Sequence, residues 1–185
     1  MSLVIKKPSS SQIYSFFISL SDTALYNFSI YPRANRKSVA LRLSKALPKD
    51  KFQKIFGAFY MGKMVGYSFL KFSPKSTDKN ICQFGIVIGE SYQGKGYGDV
   101  LSKKTIDWAK NNKFKKIWLT VYSDNLGAIK LYKKIGFQTE GIFMYNWYSH
   151  GKFRHTISMA LFFDKEPSLE RKRLWGNLSK MQDHR

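Results

Sequence analysis

A glycine-rich segment that directly follows an apolar run combines groups that bind phosphate. It covers Gln93–Gly98 and reads Gln-Gly-Lys-Gly-Tyr-Gly. Alternating glycines let the backbone approach an anion, because no Cβ stands in the way. The N–H groups of such a turn and the positive end of a following helix attract negative charge, and Lys95 and the Gln93 amide add donors. The segment predicts a phosphate site, with a tight turn that binds nothing as the alternative.

Two familiar phosphate-binding patterns do not fit this segment. The Rossmann fingerprint spaces its glycines as G-x-G-x-x-G, whereas here they occupy every second position. The P-loop needs Gly-Lys-Ser/Thr after four residues that follow a first glycine, and this chain has no such run at the turn. We therefore expect a phosphate-bearing ligand that is bound in another way.

Hydrophobic periodicity predicts the elements that position the turn. Ile81–Gly89 is an apolar strand, and Tyr97–Asn112 is an amphipathic helix. A second strand follows at Lys115–Tyr122, and Ser123–Asn125 supplies capping residues for a further helix that ends at Gly136. Strands that alternate with helices predict right-handed crossovers and a partly parallel sheet.

The remaining sequence predicts short helices and antiparallel hairpins. The predicted elements are an edge strand at Leu3–Lys6, helices from near Gln12, at Thr23–Phe28 and at Asn35–Ala46, a hairpin of Phe52–Tyr60 with Met64–Phe72, and a closing hairpin of Phe137–Asn146 with Phe153–Phe163. Apolar residues at loosely helical spacing predict a basic C-terminal helical extension over 166–185. We expect it to pack on one domain formed by residues 1–165.

Composition limits the class of protein. A chain of 185 residues with 43% hydrophobic residues is expected to bury one core. No apolar run approaches the length of about 18 residues that a membrane helix needs, and the N-terminal apolar stretch is too short for a signal peptide. The single cysteine, Cys82, suits a reducing cytoplasm and is expected to be a small core residue. We expect a cytoplasmic protein with neither a membrane nor a metal as partner.

The formal net charge of +20 is the second strong feature. Acidic residues are missing between Asp22 and Asp50, and the basic residues of that interval are Arg33, Arg36, Lys37, Arg42, Lys45 and Lys49. A basic surface attracts nucleic acid and acidic ligands and repels polycations. The alternative is a solvated surface whose charge serves solubility alone.

Two motifs resemble the GNAT superfamily of N-acetyltransferases. Gln93-x-x-Gly96-x-Gly98 resembles the family's acetyl-CoA pyrophosphate loop, Gln/Arg-x-x-Gly-x-Gly/Ala. The segment from Asn125 to Phe137 is similar to the family's Asn-x-x-Ala-x-x-Leu-Tyr-x-Lys-x-Gly-Phe. The closing hairpin is similar to the ribosomal-protein and polyamine acetyltransferase branches.

The resemblance implies an α/β fold with a mixed, mostly antiparallel sheet of six to seven strands and about four flanking helices. It implies that acetyl-CoA donates an acetyl group to a primary amine by direct attack in a ternary complex. The net charge favours an acceptor that is acidic or carried by a protein, and either a monomer or a homodimer is expected. The alternative is a basic protein that binds RNA or ribonucleoprotein with this fold and without catalysis.

The resemblance also implies roles for individual residues. The implied acetyl-CoA contacts are Ile86, Val87 and Ile88 on the strand, Gln93, Gly94, Lys95, Gly96, Tyr97 and Gly98 in the turn, and Asn125 and Tyr132 on the later helix. The N–H of Ile88 is a candidate oxyanion donor, and Tyr132 is a candidate acid for the departing thiolate. Asn125 and Tyr132 lie two helical turns apart and therefore face the same way. A core tyrosine is the alternative for Tyr132.

The general base and the acceptor site are less defined. The strand before the turn carries no carboxylate, so Glu90 is the nearest acid, with Glu140 and His155 as further candidates. We expect Tyr31, Tyr145 and Trp147 to line the acceptor site, although core packing explains these aromatic residues equally well.

Overall fold

The structure is a computed structural model that describes residues 2–28, 35–73, 80–149 and 151–163. Its centre is a seven-stranded sheet with the strand order β1-β2-β3-β4-β5-β7-β6. The strands are β1 Val4–Lys6, β2 Gln53–Tyr60, β3 Lys63–Phe72, β4 Ile81–Ile88, β5 Lys116–Tyr122, β6 Gln138–Ser149 and β7 Lys152–Phe162. Neighbouring strands are antiparallel except for β4 and β5, which run parallel.

Five α-helices flank the sheet in the described part of the chain. They are α1 Ser10–Ser19, α2 Asp22–Asn27, α3 Arg36–Ala46, α4 Tyr97–Asn111 and α5 Leu126–Lys134. Two short 3-10 helices cover Leu47–Lys49 and Glu90–Tyr92. The helix starts follow from local capping, because the side chains of Ser9, Ser21, Asn35 and Asn125 accept hydrogen bonds from backbone N–H groups of the first turns.

The helices cover both faces of the sheet. Neighbouring residues of β3 show the division: Phe69 packs with the buried residues of α1, α2 and α3, whereas Leu70 packs with those of α4 and α5. Cys82 lies in the second of these cores with 1% of its surface exposed, as predicted, and burial raises the pKa of its thiol to about 12.

Helix α2 lies across the strand β4. Phe28, at the C-terminal end of α2, contacts the ring of Tyr67 on β3 with the ring centroids 6.0 Å apart. On the other side of α2, Tyr26 stacks on Tyr122 of β5 at 5.2 Å and an interplanar angle of 6°. Because β4 lies between β3 and β5, these two contacts place α2 over β4 on the face opposite α4 and α5.

The predicted fold class is confirmed: the sheet is mixed and mostly antiparallel, with five α-helices rather than about four. Strand β6 reaches Ser149, beyond its predicted end at Asn146, because a bulge between Phe143 and Trp147 takes up the extra residues. The extension predicted over 166–185 and the domain boundary at 165 lie outside the described residues and stay predictions. None of the described helices is both long and apolar enough to span a bilayer.

Gly85 on β4 is a position where the packing requires glycine. A Cβ at Gly85 would lie 2.2 Å from the Phe69 ring. We expect Gly85→Ala to lower the free energy of unfolding by about 1–3 kcal/mol in denaturant titrations, with partial recovery in the double variant that also carries Phe69→Leu. Gly127→Ala is the control: its Cβ meets open space within α5, so we expect an unchanged or higher stability. Equal effects of the two glycine variants would contradict this packing.

Candidate functional site

The site begins where β4 and β5 separate. The two strands pair only through Ile81, Cys82 and Gln83, which lie opposite Lys116–Trp118. Pairing of β4 with β3 continues along the other edge as far as Ile88. The last five residues of β4, from Phe84 to Ile88, therefore have a free backbone edge toward β5.

Backbone alternation decides which groups face this gap. The N–H of Gly89 donates to the carbonyl oxygen of Val65 on β3 at 2.9 Å. Because successive residues of a strand direct their N–H and C=O groups to opposite edges, those of Val87 also point to β3. The N–H and C=O groups of Ile86 and Ile88 therefore point into the gap.

The side chain of Gln93 closes the end of this gap. Its amide nitrogen Nε2 donates to the Ile88 carbonyl oxygen at 3.0 Å, and its backbone N–H donates to the Glu90 carbonyl oxygen at 3.1 Å. Gln93 thus holds the glycine-rich turn against the end of β4. The N–H of Ile88 still points into the gap beside it.

The glycine-rich turn presents backbone N–H groups to solvent. Gly94 and Gly96 have φ angles of 73° and 77°, in the left-handed region that favours glycine. Gly96 is the N-cap of α4 and has no side chain to cap the helix, so the first N–H groups of α4 are free of a side-chain acceptor. A Cβ at Gly98 would lie 3.3 Å from Leu131, so the start of α4 packs closely on α5. Together these groups have the chemistry that suits an anion.

Helix α5 places two of the predicted side chains beside the gap. Asn125 caps α5, and its Oδ1 accepts from the N–H of Ala128 at 3.2 Å. Tyr132 is 7% exposed and packs edge-on against Phe84 of β4 at 6.2 Å and against Phe137 at 5.8 Å. Burial raises the pKa of the Tyr132 phenol well above its ordinary range, so the hydroxyl stays protonated and can donate.

The region that contains this gap and turn matches a known protein family. The model of the acetyltransferase (GNAT) family matches residues 20–137, which is more than half of the chain. The chain belongs to the GNAT family. The matched region includes α2, the separated end of β4, the turn and α5, so the family assignment covers the whole site described above.

Relatives and solved structures agree with membership of the GNAT family. The spermidine N(1)-acetyltransferase of Escherichia coli (strain K12) is 35% identical over 82 residues, 43% of this chain and 44% of that protein. The chain thus spans less than half the length of that curated relative. A GNAT-family acetyltransferase of Streptococcus pneumoniae superposes with a TM-score of 0.73 at 25% identity, over 88% of this chain and 100% of that one. The yncA structure of Salmonella typhimurium, determined with its cofactor acetyl-CoA, has a TM-score of 0.74 at 16% identity, over 90% and 97%.

The three candidate bases lie in different places. The Glu90 carboxylate accepts a hydrogen bond from the Ser21 hydroxyl at the start of α2. Glu140 forms an ion pair with Lys116 at 2.6 Å, at the start of β5. This is the opposite end of the strands from the turn, so Glu140 is not placed to act as the base. Nδ1 of His155 accepts the backbone N–H of Tyr145 at 3.0 Å within the β6 bulge.

The predicted acceptor aromatics lie on the closing hairpin or outside the described residues. Tyr145 is 64% exposed and adopts a φ of 50°, with its ring against His155 at 4.8 Å. Trp147 is 37% exposed at the other end of the same bulge. Tyr31 lies outside the described residues. The hairpin thus presents two aromatic side chains, and their role with an acceptor stays a prediction.

The sequence does not predict a cluster at the end of β5 in which one arginine contacts two tyrosine rings and a carboxylate. The Arg154 guanidinium lies 4.5 Å from the centroid of the Tyr26 ring and 4.0 Å from that of Tyr122. Arg154 also donates to the Asp124 carboxylate. These residues come from three distant parts of the chain, and none of them is marked by a local motif.

Ionisation of Tyr132 tests its placement. Burial penalises the phenolate, so the folded protein holds this proton more tightly than the unfolded chain does, and the stability falls as the pH rises above about 10. We expect folded wild type and Tyr132→Phe to ionise the same number of tyrosines up to about pH 11, measured by tyrosinate absorbance. In denaturant, wild type should ionise one more tyrosine than Tyr132→Phe does. A difference already present in the folded proteins would place Tyr132 in solvent.

Proposed function

We propose that this chain is an N-acetyltransferase that moves the acetyl group of acetyl-CoA to a primary amine. The observation that carries the proposal is the free edge of β4, which leads into a glycine-rich turn at the uncapped start of α4. A pantetheine arm has amides that can pair with a strand edge, and a pyrophosphate suits the start of a helix. Membership of the GNAT family and the acetyl-CoA in the Salmonella typhimurium structure support this assignment.

We place acetyl-CoA along the gap between β4 and β5. The N–H groups of the turn Gly94–Gly98 would hold the pyrophosphate, and Lys95 would add a positive charge. Ile86 would pair with the pantetheine amides, because its backbone groups face the gap, and the N–H of Ile88 would face the thioester. Val87 directs its backbone groups to β3, so it would contribute only by its packing beside Ile86 and Ile88. Asn125 would donate its free side-chain amide N–H to the arm.

The chain supplies a donor on each side of the proposed thioester. The N–H of Ile88 would stabilise the negative charge that develops on the carbonyl oxygen, a role in which one donor contributes about 3 kcal/mol. As the C–N bond forms and the C–S bond breaks, the nitrogen loses a proton and the sulfur gains one. The Tyr132 hydroxyl would supply the proton to sulfur, since burial keeps it protonated.

The nitrogen of the acceptor must lose its proton elsewhere. A primary amine with a pKa of about 10.4 is mostly an ammonium ion at neutral pH. We assign the removal of this proton to Glu90 through water, because Glu90 follows β4 directly and lies at the start of α2. His155, near the start of β7, is a weaker candidate, because its Nδ1 already accepts the N–H of Tyr145 and the neutral ring then carries its proton on Nε2.

The strongly basic composition supports a second proposal, a binding protein for RNA or ribonucleoprotein. Within the described residues, α3 exposes Lys37, Arg42 and Lys45. Phosphate contacts through these side chains would make RNA binding depend steeply on salt. Salt-sensitive RNA binding by a chain without acetyl-CoA affinity would favour this second proposal. A cytoplasmic location and a monomeric or dimeric state stay predictions.

Calorimetric titration with acetyl-CoA tests the proposed function directly. We expect micromolar binding by wild type and a loss of about tenfold or more in Gly96→Asp, since the new carboxylate would meet the pyrophosphate at the start of α4. Gly151→Asp is the matched control, because Gly151 has a similar φ of 75° and lies in the β6–β7 turn. An absence of binding by folded wild type would refute the assignment.

Removal of the Tyr132 hydroxyl tests its chemical role. We expect Tyr132→Phe to lower kcat on the order of 10²-fold, because it removes the proposed general acid, while the Kd for acetyl-CoA changes little. Thiol release under saturating substrates measures the first quantity and calorimetry the second. Tyr14→Phe, at a partly buried tyrosine of α1, is the control and should keep wild-type activity. Full activity of Tyr132→Phe would remove the role.

A further inference from the structure

One cationic side chain is largely shielded from solvent on the face of the sheet that α2 covers. The side chain of Arg154 on β7 is 10% exposed, and its guanidinium contacts the rings of Tyr26 and Tyr122. The two rings are stacked on each other, so they fix the plane and position of the cluster. Arginine is well suited to such a site because its planar group stacks on aromatic rings and stays charged when desolvated.

The hydrogen bonds of Arg154 are incomplete. A guanidinium has five N–H donors. Among the described residues its acceptor is the Asp124 carboxylate, and the Nε–H is fully buried without a partner. A buried donor without an acceptor destabilises the fold, so such a group in a native structure calls for a reason. The Asp124 side chain is 55% exposed and can turn away into solvent.

Helix α2 links the Arg154 cluster to the proposed site of the reaction. The first end of α2 is held at Glu90 by Ser21, and Tyr26 holds the other end at Arg154. Ser21 and Tyr26 are five residues apart, which corresponds to about 8 Å along a helix axis. An acceptor that lies beside α2 with its amine near Glu90 would thus extend toward Arg154 at the other end of this helix.

We propose that Arg154 is a specificity-determining residue that binds a carboxylate of the acceptor. This inference rests on the proposed acetyltransferase function and adds the class of acceptor, an amine that also carries a carboxylate. Arginine binds carboxylates through paired N–H groups, and the aromatic surroundings strengthen the attraction by excluding water. A polyamine would place a second ammonium against the guanidinium, and this repulsion selects against it.

Three acceptors of similar length test the proposal: 6-aminohexanoate, n-hexylamine and 1,6-diaminohexane. We expect kcat/KM to decrease in that order in wild type, measured by thiol release at saturating acetyl-CoA. A preference for the diamine, or no acetylation of any of the three by protein that binds acetyl-CoA, would overturn the inference. Protein that fails to bind acetyl-CoA would instead refute the proposed function, so the two failures are distinguishable.

Two variants separate binding of the carboxylate from support of the fold. Arg154→Gln should lower the ratio of kcat/KM for 6-aminohexanoate to that for n-hexylamine by about tenfold or more. Asp124→Asn removes the competing carboxylate from an exposed position and should raise the same ratio several-fold. A purely structural role of Arg154 would lower activity toward all three acceptors equally and leave the ratio unchanged, which would overturn the proposal.

Discussion

Beyond Gln83, strand β4 keeps β3 as a neighbour on one edge and loses β5 on the other. Backbone N–H and C=O groups that are shielded from water need hydrogen-bond partners, so the groups on this separated edge must be paired by other parts of the protein or by a ligand. Gln93 meets part of it by donating to the Ile88 carbonyl oxygen. The N–H of Ile88 and the backbone groups of Ile86 remain directed into the gap, where a ligand with amide groups can pair with them.

The helices on the two faces of the sheet bring different groups to this gap. On one face α4 starts at the glycine-rich turn and α5 brings Tyr132 against Phe84, so the proposed anion site and the proposed proton donor both lie beside β4. On the other face α2 spans the gap and is held at both ends by side-chain contacts. Acetyl-CoA is proposed to enter from the first face and the amine from the second, with the end of β4 between them.

Much of this arrangement is predictable because its causes are local. Capping side chains such as Ser9 and Ser21 mark helix starts, and the apolar periods mark the positions of the strands. The extension of β6 from Asn146 to Ser149 is not predictable in this way, because a bulge depends on the partner strand, which a single segment does not reveal. Arg154 was missed for a similar reason: in the sequence it resembles a surface cation, and only packing against Tyr26 and Tyr122 buries it.

Amide exchange at the end of β4 tests the central claim most directly, because it reads the backbone groups themselves. Nuclear magnetic resonance spectra of the ¹⁵N-labelled protein would follow the amides of Ile86, Val87 and Ile88 as acetyl-CoA is added. The account predicts that Ile86 and Ile88 shift and exchange more slowly with solvent, whereas Val87, already bonded to β3, changes little. Unchanged Ile86 and Ile88 amides in protein saturated with acetyl-CoA would contradict it.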